Sequence, residues 1–181
     1  IACILGCLIL TVSYSSASAE SNFYLIGPGD VLEISVWNEP GLSKQLIVPP
    51  DGVISFPLID PVKVTNLTTT ALKKVVTKRL SEYVPDATVT VMLKNINSLQ
   101  VYVIGKVNNP GQFPVTMDTT VMQVLAMARG LNPFAAAGDI TILRRRKNVT
   151  VKIPFNYKEV ERGKNLEQNV KIKADDTIIV P

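Results

Sequence analysis

The fold of this 181-residue chain is decided first by residues 27–37, which read Gly-Pro-Gly-Asp-Val-Leu-Glu-Ile-Ser-Val-Trp. Glycine and proline supply the backbone angles of tight turns, so the first positions predict a turn that ends at Asp30. Polar Glu33 and Ser35 then alternate with apolar neighbours, which predicts a half-buried β-strand. A turn followed by a strand therefore opens the folded part of the chain.

The residues that follow predict a hairpin, one helix and one more strand. Apolar side chains recur at helical spacing from Leu72 to Tyr83, and Pro85 ends the pattern. The predicted elements are a hairpin with strands at 45–48 and 53–56 around the turn Pro50-Asp51-Gly52, a helix at 68–83, and a strand at 87–93.

The second half of the chain predicts another unit of strands with one helix. Residues 108–111, Asn-Asn-Pro-Gly, predict a turn between strands at 99–104 and 112–115. Thr120 and Gln123 have the spacing of a capping box, and Gly130 is placed to end the helix that follows. Further strands are predicted at 140–143, 149–153 and 177–180, with residues 95–97 as the linker between the halves.

The sequence therefore predicts an α+β protein of two small domains, at residues 20–95 and 98–181, each with one main helix on a small mixed sheet. Both are small for independent domains, so we expect them to pack on one another or on neighbouring subunits. Hydrophobic residues make up 46% of the chain and charged residues 19%, which is too apolar a composition for a disordered protein.

The composition argues against an enzyme. Histidine is absent, and the two cysteines, Cys3 and Cys7, lie in the apolar N-terminal segment. The commonest general base and the thiol ligands are therefore missing from the folded part, and we predict no catalytic, cofactor-binding or metal-binding residue. Aspartates such as Asp51 and Asp139 lie beside Gly, Pro or Thr, where this residue shapes turns, and no pair is singled out for glycosidase chemistry.

The N-terminal segment predicts export from the cytoplasm. An apolar run from Ile1 to Val12 precedes Ala17-Ser18-Ala19, the small-x-small pattern that signal peptidase cleaves. We therefore expect residues 1–19 to be an N-terminally incomplete signal peptide and the mature chain to start at Glu20. The alternative is a lipoprotein signal with a lipidated Cys7.

Two charged or glycine-rich motifs have a functional and a structural interpretation. The basic run Arg144, Arg145, Arg146 and Lys147 could make a weak electrostatic contact with an acidic glycan. The interpretation that we favour is a solvated hairpin tip, since runs of like charge are usually exposed. The turn at residues 27–30 is not predicted to bind phosphate, because Pro28 has no amide hydrogen and no Gly-Lys-Ser/Thr motif follows.

Three parts of the chain resemble a known family. Residues 23–37 resemble the opening of the polysaccharide biosynthesis/export domain of the Wza-like outer-membrane auxiliary proteins. Residues 50–59, Pro-Asp-Gly-Val-Ile-Ser-Phe-Pro-Leu-Ile, resemble the DG-x-I-x-x-PL signature of that domain. Residues 101–113, 127–131 and 172–181 are similar to an SLBB domain, a β-grasp unit named for soluble-ligand binding. The resemblance covers nearly all of residues 23–181.

The resemblance implies a periplasmic ring of subunits through which a polysaccharide chain passes, without catalysis, cofactor or nucleic acid. It also implies an inner-membrane copolymerase or chain-length regulator as a partner. The chain resembles the short exporters of exosortase-type exopolysaccharide clusters, which implies that a separate outer-membrane protein supplies the pore. The signature residues that would set backbone turns are Gly27, Pro28, Gly29, Asp30, Asp51, Gly52, Pro110 and Gly111.

These observations leave three hypotheses. The leading one is a subunit of an oligomeric conduit for exopolysaccharide or capsule, located in the periplasm and associated with the outer membrane. The alternative is a soluble periplasmic glycan-binding module that does not form rings. A hydrolase or lyase that trims the polymer is the third, and only the scattered carboxylates favour it.

Overall fold

The computed structural model of the chain describes residues 23–146 and 149–181. Two α+β domains follow one another within these ranges. The first domain contains β1 (Val31–Val36), β2 (Glu39–Ile47), β3 (Val53–Phe56), β4 (Ile59–Lys63), α1 (Thr69–Leu80) and β5 (Val89–Asn95). The second contains β6 (Gln100–Gly105), β7 (Gly111–Pro114), α2 (Val121–Met127), β8 (Ile140–Arg146), β9 (Val149–Phe155), α3 (Tyr157–Glu161), a 3₁₀ turn (Leu166–Gln168) and β10 (Thr177–Val180).

The first domain is built around β1, the strand that the opening motif predicts. β1 lies in the centre of an antiparallel sheet of order β2-β1-β5. Its side chains at Leu32, Ile34 and Val36 are buried, as the alternating pattern requires. α1 covers this face with Leu72 and the buried residues one and two turns later, so the predicted helix and its apolar stripe are confirmed.

The predicted hairpin between residues 45–48 and 53–56 is wrong. β2 pairs with β1 instead, with Leu46 opposite Leu32, and β3 pairs with β4 to form a separate two-stranded ribbon. Pro49 and Pro50 have no N–H group to donate to a ladder, so the chain turns away from β2 at this point. β3 pairs with the next strand through a two-residue turn at Pro57 and Leu58, which the sequence analysis missed.

The predicted helix of residues 68–83 is shorter than expected. Thr68 is its N-cap, and its Oγ1 accepts a hydrogen bond from Ala71 N–H at 3.1 Å. The helix ends at Leu80, three residues before Tyr83, whose side chain is exposed. Pro85 therefore follows the helix at a distance and is not the residue that stops it.

The second domain is a five-stranded mixed sheet of order β7-β6-β10-β8-β9 with α2 packed on one face. Only the central pair, β6 and β10, is parallel. This strand order, two hairpins flanking a helix with the last strand in the middle, is that of a β-grasp fold. The capping residues of α2 are those predicted, because Gln123 Oε1 accepts a hydrogen bond from Thr120 N–H at 2.8 Å.

Two separate apolar cores stabilise the two domains. The first includes buried residues from Ile26 to Val89, and the second includes buried residues from Val101 to Val180. The two clusters share no residue, which supports the proposed division of the chain between residues 95 and 98. Across residues 23–146 and 149–181, no helix is both long and apolar enough to cross a membrane.

The end of β6 depends on a glycine. Gly105 has φ +97°, and a Cβ built there would lie 2.0 Å from the main-chain oxygen of Val180 in β10. Gly163 also has positive φ, at +73°, but a Cβ there would meet nothing within 4 Å. An alanine at Gly163 would meet only the cost of the left-handed backbone, whereas an alanine at Gly105 would meet that cost and a clash with the backbone of β10. Comparing the two substitutions therefore measures the clash.

We predict that Gly163→Ala lowers the free energy of unfolding by about 1 kcal/mol, the cost of an alanine in the left-handed region. Gly105→Ala should lower it by about 3 kcal/mol more, since the β6–β10 pair must move apart. Chemical denaturation of the two variants beside the wild type measures both values. Equal losses would contradict the close approach of Gly105 to Val180.

Candidate functional site

The turn at residues 27–30 places a buried carboxylate at the junction of the two domains. Asp30 lies just before β1 and is fully buried. Its Oδ1 accepts hydrogen bonds from the N–H groups of Asn97 (3.0 Å) and Ser98 (2.9 Å), and its Oδ2 accepts one from Gly27 N–H (2.9 Å). Asn97 and Ser98 belong to the linker between the domains, so Asp30 ties that linker to the start of β1.

The glycines of this turn let the linker pass close to it. A Cβ on Gly27 would lie 2.5 Å from Ser98 Oγ, and Gly29 has φ +88°. Asn97 adds a hydrogen bond from its Nδ2 to the Gly29 carbonyl at 2.9 Å. Pro28 is exposed at the tip of the turn.

A tyrosine completes the environment of Asp30. The Tyr24 hydroxyl donates a hydrogen bond to Asp30 Oδ2 and lies 2.8 Å from Ser98 Oγ. Burial, followed by the hydrogen bond to Asp30, raises the pKa of Tyr24 above its ordinary value near 10. The phenol therefore stays protonated, as a donor to the carboxylate must.

The other predicted signature residues lie apart from this junction. Asp51 Oδ1 accepts a hydrogen bond from Val53 N–H at 3.0 Å, which shapes the turn before β3. Gly52 has φ +73°, and a Cβ there would lie 2.3 Å from Thr65 Cγ2. Pro110 lies in the exposed turn between β6 and β7, and Gly111 is the exposed first residue of β7.

The structure corrects the interpretation of Arg144 as part of an exposed basic run. Its side chain is buried and forms an ion pair with the fully buried Asp176. Arg144 Nη2 lies 2.7 Å from Asp176 Oδ2, and Nε lies 3.0 Å from Oδ1. Arg144 Nη2 also donates to the Lys171 carbonyl at 2.9 Å. Ile140, Ile142 and Arg144 occupy every second position of β8 and share its core face. Because side chains alternate between the faces of a strand, the Arg144 side chain points inward.

The rest of the basic run lies at the end of β8. Arg145 and Arg146 are exposed, and Lys147 lies outside the described residues. These arginines remain the part of the run that could contact an acidic glycan. The residue that the sequence analysis missed is Asp176, the partner of Arg144, because a charge pair 32 residues apart leaves no local signal.

Asp176 and Asp30 have the same local geometry. Each lies one residue before a strand, and each accepts a hydrogen bond from the N–H three residues earlier, from Lys173 (2.8 Å) and Gly27 (2.9 Å) respectively. The preceding residue has positive φ in both turns, +63° at Asp175 and +88° at Gly29. Each domain therefore uses one buried aspartate to fix the start of a central strand.

A polar cleft of about 270 Å³ lies beside the Asp30 turn. Its lining comes from both domains and includes Asn97, Gln100, Tyr102, Gln112 and Asp175. A second, shallower depression lies on the exposed face of α1, where Lys73, Lys74 and Lys78 make a basic surface.

The buried charged groups serve structural contacts. Throughout residues 23–146 and 149–181, no three of His, Cys, Asp and Glu are grouped so that they could hold a metal ion. The two buried carboxylates, Asp30 and Asp176, have their oxygens occupied by protein donors. Both carboxylates therefore hold the backbone in place through hydrogen bonds.

We predict that Asp30→Asn lowers the free energy of unfolding by about 3 kcal/mol, because an amide replaces an acceptor oxygen that faces buried donors. Exchange of the Asn97 and Ser98 amide hydrogens should accelerate in the same variant. Asp51→Asn is the matched control, since Asp51 is exposed and accepts a single hydrogen bond. Equal losses in the two variants would contradict the role of Asp30 as the tie of the linker.

We predict that Arg144→Met lowers the free energy of unfolding by about 4 kcal/mol, since it leaves the Asp176 charge buried without its cation. The double variant Arg144→Met/Asp176→Asn should recover part of this loss, and Arg145→Met should cost less than about 0.5 kcal/mol. A double-mutant cycle by denaturation gives the coupling. Similar effects at Arg144 and Arg145 would show that the ion pair is not formed in solution.

Comparison with known proteins identifies both domains. The family described as "Polysaccharide biosynthesis/export protein" matches residues 18–94, and the one described as "SLBB domain" matches residues 100–154. The first is a family of export proteins and not of enzymes.

Three relatives match across both domains. Two proteins named "Polysialic acid transport protein KpsD" from Escherichia coli are 31% and 30% identical over 159 residues, which is 87% of this chain and 28% of theirs. The "EPS I polysaccharide export outer membrane protein EpsA" of Ralstonia nicotianae (strain ATCC BAA-1114 / GMI1000) is 28% identical over 163 residues, 75% of this chain and 42% of its own. The chain thus spans less than half the length of these relatives. The chain therefore carries a polysaccharide biosynthesis/export domain followed by an SLBB domain.

Proposed function

We propose that this chain is a subunit of an apparatus that exports a polysaccharide through the bacterial cell envelope. The observation that carries the proposal is that an export domain is followed by an SLBB domain. Relatives named for polysialic acid transport and for polysaccharide export match most of the chain. The polymer is the substrate, and the protein handles it without changing its covalent structure. The absence of histidine from the sequence and the engagement of the buried carboxylates support a role without catalysis.

The chain acts as one copy in an oligomeric conduit, a ring in its simplest form. The sheet of the second domain supports this part of the proposal, because α2 packs on one face only and the other face carries apolar side chains. Ile104 and Ile179 lie side by side there on β6 and β10, and Ile104 is 47% exposed. Apolar residues on an open sheet face are typical of a protein–protein contact. A neighbouring subunit is the occupant that fits the part of this face around Ile104 and Ile179, next to the cleft that Tyr102 lines.

The place of action is outside the cytoplasm, in the periplasm and in association with the outer membrane. The name of the Ralstonia relative supports this location. The signal peptide expected at residues 1–19 and the alternative lipidation at Cys7 lie outside the described residues. An inner-membrane copolymerase or chain-length regulator and a separate outer-membrane pore protein are the proposed partners.

A soluble glycan-binding module that does not form rings is the alternative function. The polar cleft between the domains favours it, since a cleft of this kind can contact sugar without any oligomer. The two functions differ in their assembly. A conduit requires several copies, and a binding module acts as a monomer.

We predict that the full-length protein is oligomeric in sedimentation velocity and that deletion of its gene stops secretion of the polymer. Ile104→Lys should weaken assembly at least about tenfold, since a buried unpaired charge costs more than the ~1.4 kcal/mol that a factor of ten requires. The same variant should fail to restore secretion in the deletion strain.

Leu166→Lys is the control for this experiment, because Leu166 is equally apolar and 59% exposed but lies away from the sheet, in the 3₁₀ turn. It should assemble and secrete as the wild type does. A wild-type protein that stays monomeric, together with a deletion strain that still secretes polymer, would overturn the proposal. If the wild-type protein is monomeric but deletion of its gene stops secretion, the result would favour the glycan-binding module.

A further inference from the structure

The cleft between the domains has the chemistry of a saccharide site. It is lined by the amides of Asn97, Gln100 and Gln112, the ring of Tyr102 and the carboxylate of Asp175. Tyr102 and Gln112 lie opposite each other on β6 and β7, on the face of the sheet away from α2. Pro28 and Ser98 complete the lining, so an aromatic residue and a proline lie among polar ones.

The cleft is held in shape by hydrogen bonds of the structural network. The Asp30 carboxylate fixes the backbone of Asn97, as described above. Gln100 Nε2 donates to the Asn97 carbonyl at 2.9 Å, and Asp175 N–H donates to the Gln100 carbonyl at 2.8 Å. A site that is already ordered loses little entropy when a ligand binds, so weak contacts suffice for recognition.

Each side-chain amide of the cleft uses one N–H within the protein and keeps a second, so the cleft offers both donors and acceptors. The N–H groups of the Asn97 and Gln100 amides donate to carbonyls of the protein, and the Gln112 amide donates to Gln100 Oε1. Over the described part of the chain, no hydrogen bond engages Asn97 Oδ1, Gln112 Oε1, the Asp175 carboxylate or the Tyr102 hydroxyl. Sugar hydroxyls are donors that match such acceptors, and the apolar face of a sugar ring can lie on a tyrosine ring.

We infer that this cleft binds one uncharged, hydroxyl-rich sugar residue of the polymer. The inference rests on the proposed function and names the chemistry of its substrate. The volume of about 270 Å³ is below the ~300–1,000 Å³ of pockets that enclose drug-sized ligands, so the cleft holds one ring of a longer chain. The Asp175 carboxylate repels a sugar acid at this position, which makes the site selective for neutral residues.

Binding is tested by saturation-transfer NMR on the full-length protein, with neutral hexasaccharides of glucose, galactose, mannose and N-acetylglucosamine and with a hexamer of α-2,8-linked sialic acid. At least one neutral hexasaccharide should receive saturation, and the sialic acid hexamer should receive less. Tyr102→Ala should weaken the neutral interaction about fivefold, the value expected for loss of an aromatic contact of ~1 kcal/mol.

Tyr83→Ala is the matched control, because Tyr83 is also exposed and lies in the first domain away from the cleft. It should leave binding unchanged. Asp175→Asn should raise binding of the sialic acid hexamer, and asparagine tolerates the positive φ at this position. If Tyr102→Ala fails to fold, Gln112→Ala serves in its place, since Gln112 is an exposed side chain on an edge strand.

Two results would overturn the inference. The first is saturation of no neutral hexasaccharide, and the second is saturation that Tyr102→Ala and Gln112→Ala leave unchanged. Either result can occur while the protein still assembles and deletion of its gene still stops secretion. The experiment therefore distinguishes failure of the saccharide site from failure of the proposed export function. Loss of binding in Tyr102→Ala with assembly intact would support the cleft as the site.

Discussion

The carboxylate of Asp30 is the group on which the arrangement of the two domains depends. It is buried and charged, and its oxygens accept hydrogen bonds from the turn before β1 and from two successive N–H groups of the linker. A buried charge is stable only when its acceptor capacity is filled, so the turn and the linker must keep the geometry that fills it. The first domain can therefore hold residues 97 and 98 in one conformation, although they carry no apolar side chain to bury.

The second domain repeats this solution with a different partner. Asp176 fixes the start of β10 through Lys173 N–H, and Arg144 supplies the cation that the Asp30 site lacks. β10 is the central strand of its sheet and β1 is the central strand of the other. A central strand pairs with a neighbour on each side, so the position at which it begins affects its pairing with both. In each sheet a buried aspartate lies one residue before the central strand and fixes the turn from which that strand begins.

These ties leave the surfaces of the chain open for other roles. The linker is fixed from within, so the cleft beside it keeps its shape and its acceptors can face a ligand. Within the described residues, Ile104 is exposed on the face of the second sheet that lies away from α2, where the proposed neighbouring copy would pack. A subunit of a conduit needs both properties, firm assembly and weak contact with the polymer, because a tight sugar site would hold the chain in place.

Several of the elements could be predicted from the amino-acid sequence. Local patterns were enough for β1, for α1 with its Thr68 cap and for α2 with its Gln123 contact, because turn residues, caps and periodic apolar positions act over a few residues. The missing histidine and the order of the signature motifs likewise needed no coordinates. Tertiary structure alone decided that β3 pairs with β4, that Arg144 faces the core and that Asp30 reaches the linker. Those outcomes depend on partners 3–10, 32 and 67 residues away in the chain, and a pattern of neighbouring residues does not record which group will fill a strand edge or neutralise a buried charge.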